Sequence, residues 1–197
     1  MKNILNVFPT PIGVYELGVD LDLVKEVLDE YESAPFGVIE GSQSSFNLGS
    51  SVLHDPKLKF LMDEINSSIE DYRKVTCLEP LVINLSWYNL MDTGRRVKLH
   101  RHEASVISGS FYVDLDGYSS PIRFKNPLLP YKMNELFESM NSEYANTGVM
   151  LTPKKSTLLL FPSWLEHETF PEDGKRCVIS FNTFHKISTD NLIYTEK

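Results

Sequence analysis

The change of character after Pro80 constrains the fold of this chain more than any other feature. From there on, short runs rich in Val, Ile, Phe, Tyr and Leu alternate with Gly, Pro and Asp turns. The alternation predicts strands near 81–90, 97–103, 106–114, 121–125, 148–152, 156–161, 167–170 and 176–184. Segment 131–146 interrupts them. It sets Met133, Leu136, Phe137 and Met140 at helical spacing, which predicts a short helix inserted between two strands. Before Pro80 the pattern is helical. Leu21, Val24, Val27, Leu28 and Tyr31 follow Asp20 on one helix face, and Gly37 and Gly41 mark the loop beyond. A second helix is expected with Asp55 as N-cap and Pro56 at its first position. Its apolar face is Leu58, Leu61, Ile65, Ile69 and Tyr72. Two helices followed by eight short strands predict a mainly β fold with flanking helices: a barrel or sandwich with the helices on one face. The expected organisation is one domain, with residues 1–79 as helical support, 80–186 as the β core and 131–146 as an insertion. A barrel has a mouth, where ligands bind.

Charge narrows the partners. The chain of 197 residues carries a formal net charge of −8, which argues against nucleic acid or an anionic membrane, since both demand a basic face. Arg95, Arg96, Lys98 and Arg101 cluster locally and read as a solvated rim. No apolar run approaches the ~18–20 residues of a membrane span, and residues 1–14, interrupted by Pro9 and Pro11, lack the apolar core of a signal peptide. Cys77 and Cys177 are too few for a disulfide framework and read as reduced thiols. The expectation is a cytoplasmic protein with no membrane or nucleic-acid partner.

Of five histidines, His100 and His102 stand two apart. In a strand such residues share a face, so both imidazoles can converge while Arg101 points away. Neutral imidazole suits Fe, Zn, Cu and Ni. Alone, the pair reads equally well as polar residues on a part-exposed strand. His167 adds weight, because an apolar strand, 159–161, runs through a turn containing Pro162 to place it at the start of the next strand. His54 and His185 read as structural or surface residues. Trp87 and Trp164 read as packing residues.

Nine residues beyond His167, Arg176 opens an apolar strand on which Arg176, Val178, Ser180 and Asn182 share a face. If that face turns inward, a buried guanidinium needs a counter-ion, and a planar carboxylate is its bidentate partner. That face holds no acid, so a ligand carboxylate is the attractive candidate. The alternative is an exposed arginine at a strand start.

Taken together, these residues resemble the Fe(II)/2-oxoglutarate-dependent oxygenases, closest to a group of bacterial and phage-encoded members related to the prolyl hydroxylases. The resemblance covers most of the chain. It is carried by Phe8-Pro9-Thr10-Pro11, Ser86-Trp87-Tyr88-Asn89, His100-x-His102, Ser108-Gly109 and Phe111-Tyr112. It continues through Phe161-Pro162-Ser163-Trp164-Leu165-x-His167 and Arg176-x-x-x-Ser180-Phe181-Asn182. It implies a double-stranded β-helix (jelly-roll) barrel of about eight strands. It also implies a metal site of His100, His102 and His167, with Fe(II), 2-oxoglutarate and O2 as cofactor and co-substrates. Arg176 would pair with the distal carboxylate of 2-oxoglutarate. Tyr88, Asn89, Ser110, Tyr112, Ser180 and Asn182 would line the co-substrate pocket. The implied reaction hydroxylates a small molecule or a protein side chain, with release of succinate and CO2. One departure matters. The family at large uses two histidines and a carboxylate, and here His102 stands where the carboxylate is expected. The closest group carries His there too, so the resemblance implies a three-histidine site; alternation turns Glu103 and Glu166 to the opposite face, and a water or a repositioned Glu103 is the alternative.

Two other readings remain open. Gly94, His100-x-His102 and Pro162-x-x-x-x-His167 resemble parts of the cupin motifs, which would give a three-histidine metal protein without 2-oxoglutarate. Against it, Val106 and Ile107 stand where a cupin glutamate belongs, and Arg176 has no role. The third reading is a non-catalytic binding module that kept the fold.

Overall fold

Asp20 and Asp55 start the two helices. The computed structural model describes residues 3–4, 6–35, 42–49, 51–116, 121–132, 134–139, 142–171 and 174–186. Helix α1 (Leu21–Leu28) is capped by Asp20, whose carboxylate accepts from the backbone N–H groups of Asp22 and Leu23 at 3.1 Å each. The second helix begins one turn later than its pattern suggests. Asp55 accepts from the Lys57 N–H, Pro56–Leu58 form a 3-10 turn, and α2 runs Lys59–Thr76. A tight first turn is a common helix start, and Pro56 lacks the N–H that a longer ladder would use.

The strands are β1 (Gly13–Glu16), β2 (Ala34–Pro35), β3 (Gln43–Ser44), β4 (Leu81–Met91), β5 (Ile107–Leu115), β6 (Ile122–Lys125), β7 (Gly148–Leu151), β8 (Thr157–Pro162), β9 (His167–Thr169) and β10 (Arg176–His185). They form a seven-stranded sheet in the order β1-β8-β5-β10-β4-β3-β2 and a three-stranded sheet in the order β7-β6-β9. All pairings are antiparallel. This is the jelly-roll, double-stranded β-helix expected of the chain. β10 lies at the centre of the large sheet, between β4 and β5.

Strand alternation divides the large sheet into two faces. On the outer face, Phe111, Val113, Leu158, Leu160, Ile179 and Phe181 pack against Val24, Val27 and Leu28 of α1 and Leu61, Ile65, Ile69 and Tyr72 of α2. On the inner face, Tyr112, Leu159, Phe161 and Val178 meet Ile122 and Phe124 of the small sheet. β8 is covered on both sides, which explains its unbroken apolar run. Gly109 on β5 pairs with Phe181 on β10, whose ring lies across it. A Cβ at Gly109 would stand 2.1 Å from the Phe181 ring, so only glycine admits the ring there.

Two expectations need correcting. Residues 97–103 are not a ladder strand. Among the described residues its backbone pairing is isolated: His100 exchanges both hydrogen bonds with His167, Val97 pairs with Thr169, and the His102 N–H donates to the Ser163 carbonyl. Nor do the described residues of 131–146 form a helix. A 3-10 turn, Leu129–Tyr131, is followed by turns, and Met133 and Met140 lie outside the described residues. Of the apolar residues described there, Leu136 is 99% exposed and Phe137 38%. Side-chain-to-backbone bonds tie the segment instead, from Lys132 Nζ to Tyr144 O at 2.7 Å and from Asn126 Nδ2 to Asn146 O at 2.8 Å. Gly37 and Gly41, expected to mark a loop, also lie outside the described residues.

Candidate active site

Four strands and the bridging segment converge on one cavity between the sheets. From β10 come Arg176, Val178, Ser180 and Asn182, the face that alternation assigns together. From β4 come Trp87, Asn89 and Met91, and from β5 Ser110 and Tyr112. His167 and Thr169 of β9 and His100 and His102 of the bridging segment complete the wall, and Arg101 and Glu103 sit at its rim. The cavity measures about 300 Å³, the size of a small-ligand site.

The three histidines are brought together with one nitrogen each within 4.8 Å of the others. Their other nitrogens are committed. His100 Nδ1–H donates to the Lys98 carbonyl at 2.8 Å and His167 Nδ1–H to the Leu165 carbonyl at 2.9 Å. His102 Nδ1 lies 2.5 Å from Asn182 Oδ1. A carbonyl oxygen can only accept, so each Nδ1 carries the proton and each Nε2 keeps its lone pair. The Nε2 atoms of His100 and His102 are 3.2 Å apart. Two lone pairs at that distance repel unless a cation stands between them. Metal–nitrogen bonds of about 2.1 Å at right angles would separate two ligand atoms by about 3 Å, so the observed spacing fits one edge of a metal site. Held Nδ1–H groups are also the usual outer support of metal-binding imidazoles. Glu103 is not part of the cluster. Its side chain is 81% exposed and faces Arg101 at 3.5 Å. Glu166 pairs with Lys125 at 2.9 Å, outside the site.

Burial keeps the rings neutral, the form a metal requires. Desolvation is the main cause in each case, reinforced for His102 and His167 by the neighbouring imidazoles. The His100 pKa lies below its usual range, that of His102 is pushed down to about 4, and that of His167 to about 3. These folded-state values lie below the unfolded value of about 6.5. As pH falls through 6.5 the unfolded chain therefore takes up protons that the folded chain refuses, and stability drops until the folded values are reached. The metal-free protein should melt at progressively lower temperature between pH 7 and pH 4, and His167→Gln should flatten that dependence. Thermal denaturation across this range measures it.

Arg176 is buried, at 6% exposure. Its Nη2 donates to Thr169 Oγ1 at 2.5 Å, and its Nε approaches Met91 Sδ at 3.2 Å. Thr169 lies two residues beyond His167 on the same face, about 7 Å along the strand. The guanidinium is therefore tied to the strand that carries His167, and both line the same cavity. Asn89, also buried, lines the same cavity. Its Nδ2 donates to Ser180 Oγ at 3.2 Å, while its Oδ1 has no hydrogen-bond partner. Because the Ser180 hydroxyl can serve either end of the amide, Asn89 can offer the cavity a donor or an acceptor.

Tyr88 does not line this cavity. Adjacent strand residues face opposite sides, so placing Asn89 inside sends Tyr88 outward, where its hydroxyl donates to the Tyr31 carbonyl at 2.8 Å. The same alternation could have found Trp87 and Met91, which flank Asn89 at two-residue steps, and Thr169, which follows His167. Trp87 was expected to pack. It is buried, yet it forms cavity wall, with its ring 5.9 Å from that of His102 and in edge contact with Phe46 at 4.9 Å. His54 and His185 are exposed and stand apart from the cluster.

Inside this double-stranded β-helix the three imidazoles form a group that could hold a metal ion. Residues 85–182, just under half of the chain, match a family model described as "Putative 2OG-Fe(II) oxygenase", and over that segment the chain is similar to the 2OG-Fe(II) oxygenase family. That segment runs from β4 to β10 and contains every histidine of the cluster and Arg176. Among solved structures, HygX from Streptomyces hygroscopicus, with nickel and 2-oxoglutarate bound, superposes with a TM-score of 0.62 at 12% identity, covering 90% of this chain and 84% of that one. A prolyl hydroxylase from Trichoplax adhaerens, in complex with a hypoxia inducible factor peptide fragment, gives 0.63 at 13% identity, covering 89% and 84%. A Pseudomonas putida prolyl-4-hydroxylase gives 0.58 at 14% identity, covering 90% and 94%. At these identities the likeness is one of fold. No curated protein sequence matches the chain. Oxygenases of this class depend on Fe(II), 2-oxoglutarate and O2. Among the described residues no helix is long and apolar enough to cross a membrane.

Proposed function

We propose that this chain is a Fe(II)- and 2-oxoglutarate-dependent dioxygenase that hydroxylates a small molecule or a protein side chain, releasing succinate and CO2. One observation carries the reading. Three imidazoles with converging Nε2 lone pairs share a cavity with a buried guanidinium. A cupin-type metal site accounts for the imidazoles but gives Arg176 no work.

In this reading His100, His102 and His167 hold the metal on one side and leave its cavity side open. Arg176, oriented by Thr169, holds the distal carboxylate of 2-oxoglutarate, and Asn89 contacts the same molecule through its amide. Ser110, Tyr112 and Ser180 line the same pocket. Val178, Ile122 and Met91 supply apolar walls that keep water from the reacting end. Bound iron with 2-oxoglutarate supplies the O2 activation that the side chains cannot. Three neutral ligands leave the site more positive than a triad with a carboxylate, which favours an anionic co-substrate. HygX is also known with hygromycin B bound and the Trichoplax enzyme with a peptide, so both substrate classes fit this fold. Both cysteines are unpaired, in keeping with a cytoplasmic setting.

Anaerobic titration with Fe(II) and then 2-oxoglutarate tests the proposal. One Fe(II) per chain should bind, and 2-oxoglutarate should then raise a metal-to-ligand charge-transfer band. Iron binding with no band on adding 2-oxoglutarate would move the protein to the cupin reading.

A further inference from the structure

His102 is the ligand that departs from the family pattern, and the residues behind it explain how a histidine works there. Its Nδ1 faces Asn182 Oδ1 at 2.5 Å and Ser108 Oγ at 2.8 Å. Ser108 in turn touches Asn182 Oδ1 and Ser163 Oγ, both at 2.8 Å. Ser163 Oγ donates to Ser105 Oγ at 3.0 Å, and Ser105 Oγ to the Thr183 carbonyl at 3.1 Å. The end of this chain is a backbone oxygen, which can only accept, so each hydroxyl is driven to donate toward it. With the Ser108 hydroxyl donating to Asn182 Oδ1, its oxygen can accept from His102, and the Asn182 carbonyl oxygen 2.5 Å from Nδ1 can only accept. The network therefore demands a proton on Nδ1.

We propose that Asn182 is a positioning residue for His102, one that fixes the Nδ1–H tautomer and aims the Nε2 lone pair at the metal position, with Ser108 holding the amide in place. The role rests on the oxygenase reading. It differs from the expectation that Asn182 contacts 2-oxoglutarate, because its carbonyl oxygen is already taken. Strand pairing makes the arrangement stiff. Asn182 and Ser108 are direct partners in the β10–β5 ladder, and the His102 backbone N–H is tied to the Ser163 carbonyl at 2.9 Å. The ring, its acceptor and the acceptor's support thus hang from three hydrogen-bonded segments.

The test has two readouts. Imidazole ¹⁵N shifts in the metal-free protein report the tautomer, and titration with Mn(II) reports affinity. The wild type should show His102 as Nδ1–H. Asn182→Ala should lose that preference and bind Mn(II) about 10- to 100-fold more weakly, the usual effect of removing an outer partner. Asn182→Asp keeps an acceptor and makes the ring more basic, so it should bind at or above wild-type affinity. Ser108→Ala leaves the amide in place and guards against misfolding of the first variant; it should fall between wild type and Asn182→Ala. A wild-type protein that holds Mn(II) but shows His102 as Nε2–H overturns the positioning role alone. So does Asn182→Ala binding as tightly as wild type. A wild-type protein that holds no metal removes the oxygenase reading and this role with it.

Discussion

His100→Ala and His167→Ala should each leave the protein unable to hold Fe(II) tightly. The cluster offers three nitrogens, and two imidazoles hold a divalent ion poorly. The loss should exceed the roughly 10- to 100-fold that follows from removing an outer partner, because a bond to the metal itself is gone. The fold should survive, since deleting a ring that is neutral when buried leaves no unpaired charge. The backbone exchange between His100 and His167 is also indifferent to the side chains. His102 separates the reading further. His102→Asp would recreate two histidines and a carboxylate and should retain iron, although Asn182 would lose its donor. His102→Ala should weaken binding or uncouple turnover. Metal content after gel filtration, with competitive chelation for affinity, measures all four variants. Unchanged iron affinity in either His100→Ala or His167→Ala would place the metal elsewhere.

How much of this was legible in the sequence depends on how local each signal was. Asp20 and the face from Leu21 to Leu28 define a helix within one short window, and the structure has it there. The long strands β4, β5, β8 and β10 carry enough alternation or apolar run to be read directly. β1, with four residues, and β2 and β3, with two each, exist only because a neighbouring strand offers an edge, and a sequence window cannot see an edge. Segment 97–103 has the reverse problem. Its alternation is real and does bring His100 and His102 together, but its pairing reduces to isolated bridges. The helix expected over 131–146 has the right spacing, yet Leu136, at the centre of that spacing, is exposed.

The site was legible where period two could be trusted. His100 with His102 and Arg176 with Val178, Ser180 and Asn182 follow from alternation alone, and the structure gathers them in one cavity. By that same rule Tyr88 and Asn89 cannot both face inward, and only Asn89 does. What alternation cannot supply is hydrogen-bond direction. That Asn182 serves His102, and Thr169 serves Arg176, depends on contacts between residues 80 and 7 positions apart, fixed by three-dimensional register.

Arg176→Ala should weaken 2-oxoglutarate binding by at least about tenfold, and by as much as about a thousandfold. A charge-assisted hydrogen bond contributes roughly 1.5–3 kcal/mol. Truncating one partner of a desolvated ion pair costs about 3–5 kcal/mol, and each 1.4 kcal/mol or so is a factor of ten. The buried position of Arg176, on the cavity wall between Thr169 and Met91, puts it toward the desolvated end of that range. Iron binding should persist, because the histidines are untouched. Arg176→Lys should be intermediate, since an ammonium keeps the charge and loses the bidentate fork. It also keeps most of the side-chain volume, which guards against a collapsed pocket in the alanine variant. Thr169→Val should give a smaller loss than Arg176→Ala by freeing the guanidinium from its fixed direction. Calorimetry with Mn(II) in place of iron measures each affinity, with metal content as the control. If Arg176→Ala binds 2-oxoglutarate like the wild type, or if the wild type does not bind it, the carboxylate has no receptor here and the oxygenase proposal gives way to a three-histidine site of the cupin kind.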